Sequence, residues 1–191
     1  MGPQEPPARP ELTVVGGTLE TGPERGGRRT DEGPETVPEA MVLFLSGPNL
    51  NLLGQRQPEI YGRDTLADHI STATVAATEH GLVLEHVQSD YEGALVEAVH
   101  EARGRALAIV VNPGALTHYS WSLHDALAAF DGPVVELHLS QPRRREAWRH
   151  RSVVSSVATG VIAGFGAEGY RLAVEAVASL LRSGRHPRPE R

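Results

Sequence analysis

Short apolar runs alternate along the chain with segments whose apolar residues recur every three or four positions. A continuous apolar run is typical of a strand buried on both faces, and the longer period is typical of a helix with one buried side. The runs predict five strands, at residues 42–45, 82–87, 107–111, 134–139 and 161–163. The helical periods predict helices at residues 64–80, 92–104, 120–130, 142–150 and 168–181.

The alternation of strands and helices limits the fold. A helix between consecutive strands makes those strands parallel, and the helices then cover both faces of the sheet. Asp64 is the expected N-cap of the first helix, and Gly81 is its expected C-terminal stop. Five such strands in a chain of this length predict an α/β fold of the flavodoxin-like, doubly wound type, with a five-stranded parallel sheet.

The two ends of the chain lack this pattern. Residues 1–40 contain 7 of the 14 prolines and 7 of the 20 glycines, and eight acidic residues outnumber four arginines. Such a segment buries too little apolar surface to offset its chain entropy, so a disordered tail is expected. Its apolar patch at residues 12–15 is too short for a domain. We therefore predict one domain at residues 41–183 and a short tail at residues 184–191.

The absence of two residue types excludes several kinds of chemistry. The chain has no cysteine, and all 18 of its basic residues are arginine. Without lysine it cannot form a Schiff base with a carbonyl substrate, anchor pyridoxal phosphate in the usual way or build a Walker nucleotide site. Without cysteine it lacks disulfides and thiolate nucleophiles, which fits a cytoplasmic location. The net charge of −6 argues against nucleic acid as a partner, and no apolar run is long enough to cross a membrane.

Polar residues follow the predicted strands at their carboxyl ends. In a doubly wound sheet this edge is where ligands bind. The side chains expected to converge there are Asn49, Asn51, Asn112, His118, His138 and Ser140. None of them is needed to fill a core. An asparagine beside Gly-Pro or Pro-Gly is also typical of an ordinary turn, and His118 is also typical of a loop histidine.

Residues 54–62 form a loop that begins and ends with glycine and contains Arg56 and Tyr61. Glycine hinges would let such a loop open and close over a site as a lid. An isolated phenol has a pKa of about 10 and is a poor base at neutral pH, but a close guanidinium favours the phenolate and lowers that pKa. The loop therefore suggests Tyr61 as a base activated by Arg56. The alternative is a surface loop in which Tyr61 is packed for its ring.

A candidate anion site follows the fourth predicted strand. Pro142 suits the first turn of a short helix with Ser140 or Gln141 as its cap, and backbone N–H groups at such a start bind anions. A substrate carboxylate would then lie on the amides of Leu139 and Ser140, with His138 facing the same ligand.

Other charged and imidazole groups have simpler interpretations. The arginines after residue 142 are mostly expected to be solvated, with Arg149 kept as a candidate, and the acidic balance argues against a nucleic-acid patch. Asp125, taken alone, is a solvated acid on a helix face. No metal site is expected, because four further histidines lack a partner at ligand spacing. These are His69, His80, His86 and His100.

Four segments together carry a resemblance to a known family. They are GPNLNLLGQRQPEIYG (residues 47–62), QSDYEG (88–93), NPGALTHYS (112–120) and ELHLSQ (136–141), in order on successive strand ends. They resemble the signatures of type II 3-dehydroquinate dehydratase over about residues 41–182. The resemblance implies a hydro-lyase that converts 3-dehydroquinate to 3-dehydroshikimate by anti elimination through an enolate, without cofactor or metal. That step belongs to the shikimate pathway, which leads to chorismate and the aromatic amino acids.

The resemblance also implies roles for individual residues. Tyr61 would be the general base, Arg56 the lid arginine that activates it, and His138 the general acid. Asn49 would stabilise the enolate through an ordered water. The substrate hydroxyls and carboxylate would be bound by Asn112, His118, Arg149, Leu139 and Ser140. Asp125 would reach the site of a neighbouring subunit, in a trimer that usually assembles further into a homododecamer.

The resemblance has departures, and other functions of the same fold stay open. Ser46 stands where the family usually has asparagine, and Gln57 replaces a common glutamate beside the lid arginine, which leaves the closure of the lid open. A flavin-binding or signalling module would need a phosphate loop or an acidic cluster after the first strand, where the chain has Gly-Pro-Asn. A non-catalytic assembly protein would not be expected to retain the four catalytic candidates.

Overall fold

The structure is a computed structural model that describes residues 40–55 and 62–184, and the backbone of residues 13–14. Within these ranges a single sheet has six strands. They are β1 (Thr13–Val14), β2 (Met41–Ser46), β3 (Val83–Gln88), β4 (Ala106–Asn112), β5 (Val134–His138) and β6 (Gly160–Ala163). The spatial order is β1-β3-β2-β4-β5-β6, in which β2 to β6 are parallel and β1 is antiparallel to β3.

Helices connect most of the parallel strands. Those in the described ranges are α1 (Leu66–Glu79), α2 (Glu92–Ala102), α3 (Trp121–Ala128) and α4 (Glu168–Ser183). The first three follow β2, β3 and β4 in turn, and α4 follows β6. Helix α1 ends at Glu79, one residue earlier than predicted, and the expected stop Gly81 directly follows its C-cap residue His80 with a φ of 68°. None of the helices in the described ranges is both long and apolar enough to cross a bilayer.

The burial of β2 accounts for the two-sided core. All six residues of this strand are buried, because helices cover the sheet on both faces. Val42 and Phe44 belong to the cluster packed against α1 and α4. Met41, Leu43 and Leu45 alternate with them and join the cluster packed against α2 and α3. The period of two in a strand thus divides one apolar run between two cores.

Successive strands are added to the sheet first on one side of β2 and then on the other. From β2 the chain passes to β3 on one side, and it then crosses to β4 on the other side. In open parallel sheets, ligands bind in the crevice at such a point, outside the carboxyl ends of the strands. The five parallel strands and their helices confirm the predicted flavodoxin-like sheet, and this order places the crevice between the ends of β2 and β4.

Two local predictions are wrong. Helix α1 is capped by Thr65 and not by Asp64: the Thr65 hydroxyl accepts the Asp68 backbone N–H at 3.2 Å, and the Asp68 carboxylate accepts the Thr65 backbone N–H at 2.8 Å. Two such reciprocal bonds satisfy more free N–H groups than a lone Asp64 cap would. Residues 142–150 form two short 3₁₀ turns in place of one helix, and Gln141 caps the first of them.

Strand β1 was not predicted. Thr13 pairs with His86 and Val14 pairs with Glu85, so two residues of the segment 1–40 extend the sheet at its edge. The rest of the expected disordered tail, up to residue 39, lies outside the described residues. The expected tail at residues 184–191 also lies outside them, except for Gly184, which is the C-cap of α4.

Candidate active site

The loops that leave β2 and β4 cross at the crevice. The backbone N–H of Gly47 donates to the carbonyl of Asn112 at 2.8 Å. A Cβ atom on Gly47 would lie 2.4 Å from the carbonyl oxygen of Pro113, so only glycine permits this approach. The close contact locks the two loops together and fixes the positions of the asparagines that they carry.

Asn49 has a backbone conformation that asparagine tolerates better than most residues. Its φ is 67°, and it precedes the 3₁₀ turn Leu50–Leu52. Its backbone N–H donates to the carboxylate of Asp90 at 2.8 Å, and the side-chain amide of Gln88 donates to the same oxygen at 3.2 Å. The motif QSDYEG therefore contributes Asp90, which holds the first loop in place and is not among the predicted site residues.

A cleft that is partly open to solvent lies at this edge of the sheet. Seven of the predicted site residues line it: Asn49, Asn112, His118, His138, Leu139, Ser140 and Arg149. Asn51 was expected at the same rim, but it is exposed in the turn after Asn49 and does not line the cleft. The turn directs successive side chains to different sides, which the strand-end argument did not take into account.

His138, at the end of β5, is paired with a buried carboxylate. Its Nε2 lies 2.7 Å from Oε1 of Glu136, two residues earlier on the same face of the strand. The His138 side chain is 11% exposed, and that of Glu136 is fully buried. Glu136 belongs to the motif ELHLSQ but is not among the residues with a predicted role. An acidic residue inside an apolar strand, two positions before a candidate histidine, is the signal that could have identified it.

Three hydroxyl groups surround the same carboxylate. The Ser152 hydroxyl lies 2.9 Å from Oε1 and 3.1 Å from Oε2 of Glu136, and the hydroxyls of Thr117 and Ser155 also donate to it. We call these five residues the Glu136 cluster: Thr117, Glu136, His138, Ser152 and Ser155. Sequence reasoning missed the three hydroxyl residues, because they come from distant segments that only the fold brings together.

The pKa of Glu136 follows from this arrangement. Burial alone would raise it, but the hydrogen bond and charge of His138, with the hydroxyls of Ser155 and Thr117, bring the pKa below its ordinary value. The carboxylate is therefore ionised at neutral pH, and it can only accept hydrogen bonds. It follows that Nε2 of His138 carries a proton and that Nδ1 is the other site for proton exchange.

His118 also lines the cleft, and it is held in a defined orientation. Its Nδ1 lies 2.7 Å from the carbonyl oxygen of Arg151, and its ring meets Trp148 edge-on with centroids 5.2 Å apart. A carbonyl accepts only, so Nδ1 carries a proton. In the neutral ring Nε2 is then an acceptor, which suits a ligand hydroxyl.

Arg149 is held by the same Trp148 ring that contacts His118. Its guanidinium carbon lies 3.9 Å from the centre of the Trp148 ring, and its Nε lies 2.7 Å from a carboxylate oxygen of Glu146. Trp148 therefore positions both Arg149 and His118, although its own side chain is 57% exposed. A stacked guanidinium is well oriented for hydrogen bonding, which suits a polar ligand in the cleft.

The predicted lid lies at the boundary of the described residues. Arg56 and Tyr61 fall outside them, so the structure tests neither residue. The ends of the loop are described and lie close together: a Cβ on Gly54 would be 2.9 Å from the carbonyl oxygen of Arg63, and φ at Gly54 is +85°. Glycine is therefore required where the loop begins.

Asp125 does not enter the cleft of its own chain. It lies on α3 with its side chain 80% exposed, and its carboxylate lies 2.9 Å from Nδ1 of His124. This position leaves its predicted contact with a neighbouring subunit untested. Within the described ranges, no group of three or more His, Cys, Asp or Glu side chains is placed to hold a metal ion.

Known proteins resemble this chain over nearly all of its folded part. The family model described as Dehydroquinase class II matches residues 40–178. A 3-dehydroquinate dehydratase of Cereibacter sphaeroides (strain KD131 / KCTC 12085) is 54% identical over 143 residues, covering 75% of this chain and 97% of the relative. A 3-dehydroquinate dehydratase of Streptomyces avermitilis is 53% identical over 151 residues, covering 78% of this chain and 95% of the relative.

Solved structures lead to the same family. A crystal structure of type II dehydroquinase from Propionibacterium acnes matches with a TM-score of 0.70 and 40% identity, over 73% of this chain and 97% of that chain. The type II dehydroquinase of Butyrivibrio crossotus matches with a TM-score of 0.71 and 36% identity, over the same shares. The resemblance inferred from four sequence segments is confirmed, and the chain belongs to the class II dehydroquinase family.

Proposed function

We propose that the chain is a hydro-lyase that dehydrates 3-dehydroquinate to 3-dehydroshikimate, the reaction named by its relatives. The observation that carries the proposal is the pairing of His138 with the buried Glu136 carboxylate at the wall of the cleft. A flavin-binding or signalling module has no need of such a pair. The family match over residues 40–178 supports the same reaction.

Loss of water from a β-hydroxy ketone requires three groups. A base removes a proton from the α-carbon, an acid protonates the departing hydroxyl, and polar groups stabilise the enolate between these steps. We assign Tyr61 as the base and Arg56 as its activating cation on the sequence resemblance, since both residues lie outside the described ranges. The other two functions fall to residues that line the cleft.

His138 is assigned as the general acid. The ionised Glu136 accepts a hydrogen bond from the N–H at Nε2, which leaves Nδ1 to carry the proton that passes to the leaving hydroxyl. When His138 is doubly protonated, its charge faces the Glu136 carboxylate 2.7 Å away, and the two groups form an ion pair in a nearly buried position. After the proton transfer, Nδ1 carries no proton and the ring is neutral, while Glu136 still holds the ring in place.

The substrate would be held by the remaining residues of the cleft. Asn49, whose loop is anchored by Asp90, is assigned on the sequence resemblance to stabilise the enolate through an ordered water. His118 presents an Nε2 acceptor to a substrate hydroxyl, and Arg149 is stacked for a further contact. The assignment is completed by Asn112 for a hydroxyl and by the amides of Leu139 and Ser140, with the Ser140 hydroxyl, for the carboxylate.

We also propose a homo-oligomer built of trimers, with a homododecamer as the full assembly. In it, Asp125 would act in the site of a neighbouring subunit, and its 80% exposed side chain on α3 is compatible with that role. Two large aromatic residues that precede it in the chain, Tyr119 and Trp121, are also 60% and 54% exposed. Exposed aromatic residues of this kind are frequent at protein–protein interfaces. A cytoplasmic location stays a prediction.

The decisive test is direct. The protein is mixed with 3-dehydroquinate, and formation of the conjugated enone product is followed by its ultraviolet absorbance. We expect a steady rise with the wild-type protein and a loss of about 100-fold or more in kcat for Tyr61→Phe and for Arg56→Ala, because each removes part of the base. Tyr91→Phe is the matched control, since it removes the hydroxyl of a 72% exposed tyrosine.

Two results would overturn the proposal at different levels. No absorbance rise with correctly folded wild-type protein rejects the activity. Wild-type rates in Tyr61→Phe leave the activity in place but reject Tyr61 as the base.

A further inference from the structure

A second group of polar side chains is buried directly beneath Asn112. Ser46 ends β2 and Asn112 ends β4, and the two residues are paired in register. They are 1% and 4% exposed. Both occupy the face of the sheet that Phe44 and Val110 share two positions earlier, which is the face covered by α1 and α4.

Tyr170 reaches these two residues from the first turn of α4. It is 1% exposed, and its ring stacks on Phe44 with centroids 6.3 Å apart and on His69 with centroids 4.9 Å apart. Beyond Phe44, the next residue on the same strand face is Ser46. Burial raises the pKa of the Tyr170 hydroxyl to about 12, and the side chains of Asn112 and Ser46 act in the opposite direction, so both lie beside that hydroxyl.

The hydrogen bonds of this group are incomplete. Nδ2 of Asn112 and the hydroxyl of Tyr170 are buried, and neither has a partner in hydrogen-bond geometry within the described part of the chain. Oδ1 of Asn112 accepts the backbone N–H of Gly114 at 3.3 Å, which fixes the direction of the Nδ2 donors. A buried donor without a partner is costly, so a small movement on substrate binding that pairs Asn112 with Tyr170 would be favoured.

Ser46 extends the group to a fourth residue. Its hydroxyl lies 3.0 Å from Nε2 of His86, and burial lowers the pKa of His86 to about 4. The imidazole is therefore neutral at physiological pH, and Nε2 can accept a hydrogen bond. We call Ser46, His86, Asn112 and Tyr170 the Asn112 cluster. Nδ2 of Asn112 can only donate, so a single chain of hydrogen bonds satisfies every member. In it, Asn112 donates to Tyr170, Tyr170 donates to Ser46, and Ser46 donates to His86.

We propose that Tyr170 is a positioning residue for substrate binding, which holds the Asn112 amide through its hydroxyl and is itself anchored by Ser46 and His86. When substrate enters the cleft, Asn112 shifts so that one hydrogen of Nδ2, which is buried in the free protein, reaches a substrate hydroxyl, while the other is donated to Tyr170. The inference rests on the proposed role of Asn112. It also gives Ser46 a function at the position where the family usually has asparagine.

The test is the removal of one hydroxyl group. In Tyr170→Phe, KM for 3-dehydroquinate is expected to rise about threefold to tenfold with kcat nearly unchanged, as for the loss of one ordinary hydrogen bond made equally in the ground and transition states. The Tm is not expected to fall, because the hydroxyl is buried without a hydrogen bond in the free protein. Tyr91→Phe serves as the matched control and is expected to keep the wild-type KM.

A double-mutant cycle separates this inference from the function on which it rests. Asn112→Ala, or Asn112→Ser where that variant folds better, is expected to raise KM, and adding Tyr170→Phe to it is expected to cause no further change. If Asn112→Ala lowers kcat/KM but Tyr170→Phe does not, the positioning role is wrong and the function of Asn112 stands. Equal losses from Tyr170→Phe in both backgrounds also overturn it. Wild-type kinetics in both Asn112 variants overturn the role of Asn112 and the inference together.

Discussion

Two buried polar clusters flank the cleft on opposite faces of the sheet, and they differ in how completely their hydrogen bonds are made. In the Glu136 cluster, one carboxylate accepts from His138 and from three hydroxyl groups. In the Asn112 cluster, Nδ2 of Asn112 and the Tyr170 hydroxyl lack partners within the described residues. The first cluster lies on the α2 and α3 side and the second on the α1 and α4 side.

The difference matches two separate demands of the reaction. A group that manages charge in the transition state works best when its geometry is set before the substrate arrives, since no reorganisation is then needed. The complete Glu136 cluster meets that demand for His138. A group that binds the substrate in every state gains affinity when binding completes its hydrogen bonds. The incomplete Asn112 cluster fits that second demand, so its loss should affect KM more than kcat.

The largest expected effect comes from breaking the complete cluster. Glu136→Gln keeps the shape of the side chain but removes the charge that opposes a protonated His138. We expect kcat to fall about 100-fold or more with KM changed little, because general acid catalysis contributes about 10²–10⁴-fold. The rate is measured by the enone absorbance, and circular dichroism checks that the variant folds.

The partner variant shows whether Glu136 acts through His138. His138→Asn alone should lose as much rate as Glu136→Gln, and the double variant should lose little more, because residues that act as a unit are not additive. An additive double loss would mean that the two residues act independently. A wild-type kcat in Glu136→Gln would remove the contrast between the clusters altogether.

A smaller effect is expected from substituting Gly47, whose backbone contacts the loop that carries Asn112. Gly47→Ala places a Cβ 2.4 Å from the Pro113 carbonyl oxygen, so the loops carrying Asn49 and Asn112 must separate. Overpacking of this kind costs about 1–3 kcal/mol of unfolding free energy, and kcat/KM should fall with it. Chemical unfolding and steady-state kinetics measure the two effects.

Gly93→Ala is the matched control for this substitution. A Cβ at Gly93, in α2, meets nothing within 4 Å, and alanine favours a helix more than glycine does. Its stability should equal or exceed that of the wild type. A similar loss in both variants would show that the crossing of the two loops has no special importance.

The contrast between the clusters also shows what the sequence can reveal. The ends of parallel strands share one edge, so the placement of Asn49, Asn112 and His138 around a single cleft followed from the strand pattern. Both members of the pair Glu136 and His138 lie on one strand, where an acid at an otherwise apolar position was a visible signal.

Contacts between distant segments left no such signal. Thr117 and Ser152 are 35 positions apart and converge on Glu136 only through the fold. Strand β1 depends on the exposed edge of β3, because two residues carry too little pattern to predict a strand. The error at Asp64 was of another kind, since the capping box of Thr65 and Asp68 is readable from the sequence and only needed the correct register.

The smallest expected effect concerns pH and tests whether the complete cluster also stabilises the fold. The pKa of Glu136 is lower in the folded protein than its ordinary value of 4.5, despite burial, because of its hydrogen bonds and the charge of His138. A lowered carboxyl pKa contributes stability that is present above the ordinary pKa and is lost as pH falls through the folded one. The free energy of unfolding of wild type and Glu136→Gln, measured in urea from pH 7 to pH 3, should therefore differ by a constant amount down to about pH 5. Below that the wild-type advantage should shrink. A difference that stays constant to pH 3 would mean that the carboxylate is not stabilised by its partners, and the distinction between a complete and an incomplete cluster would then lose its energetic basis.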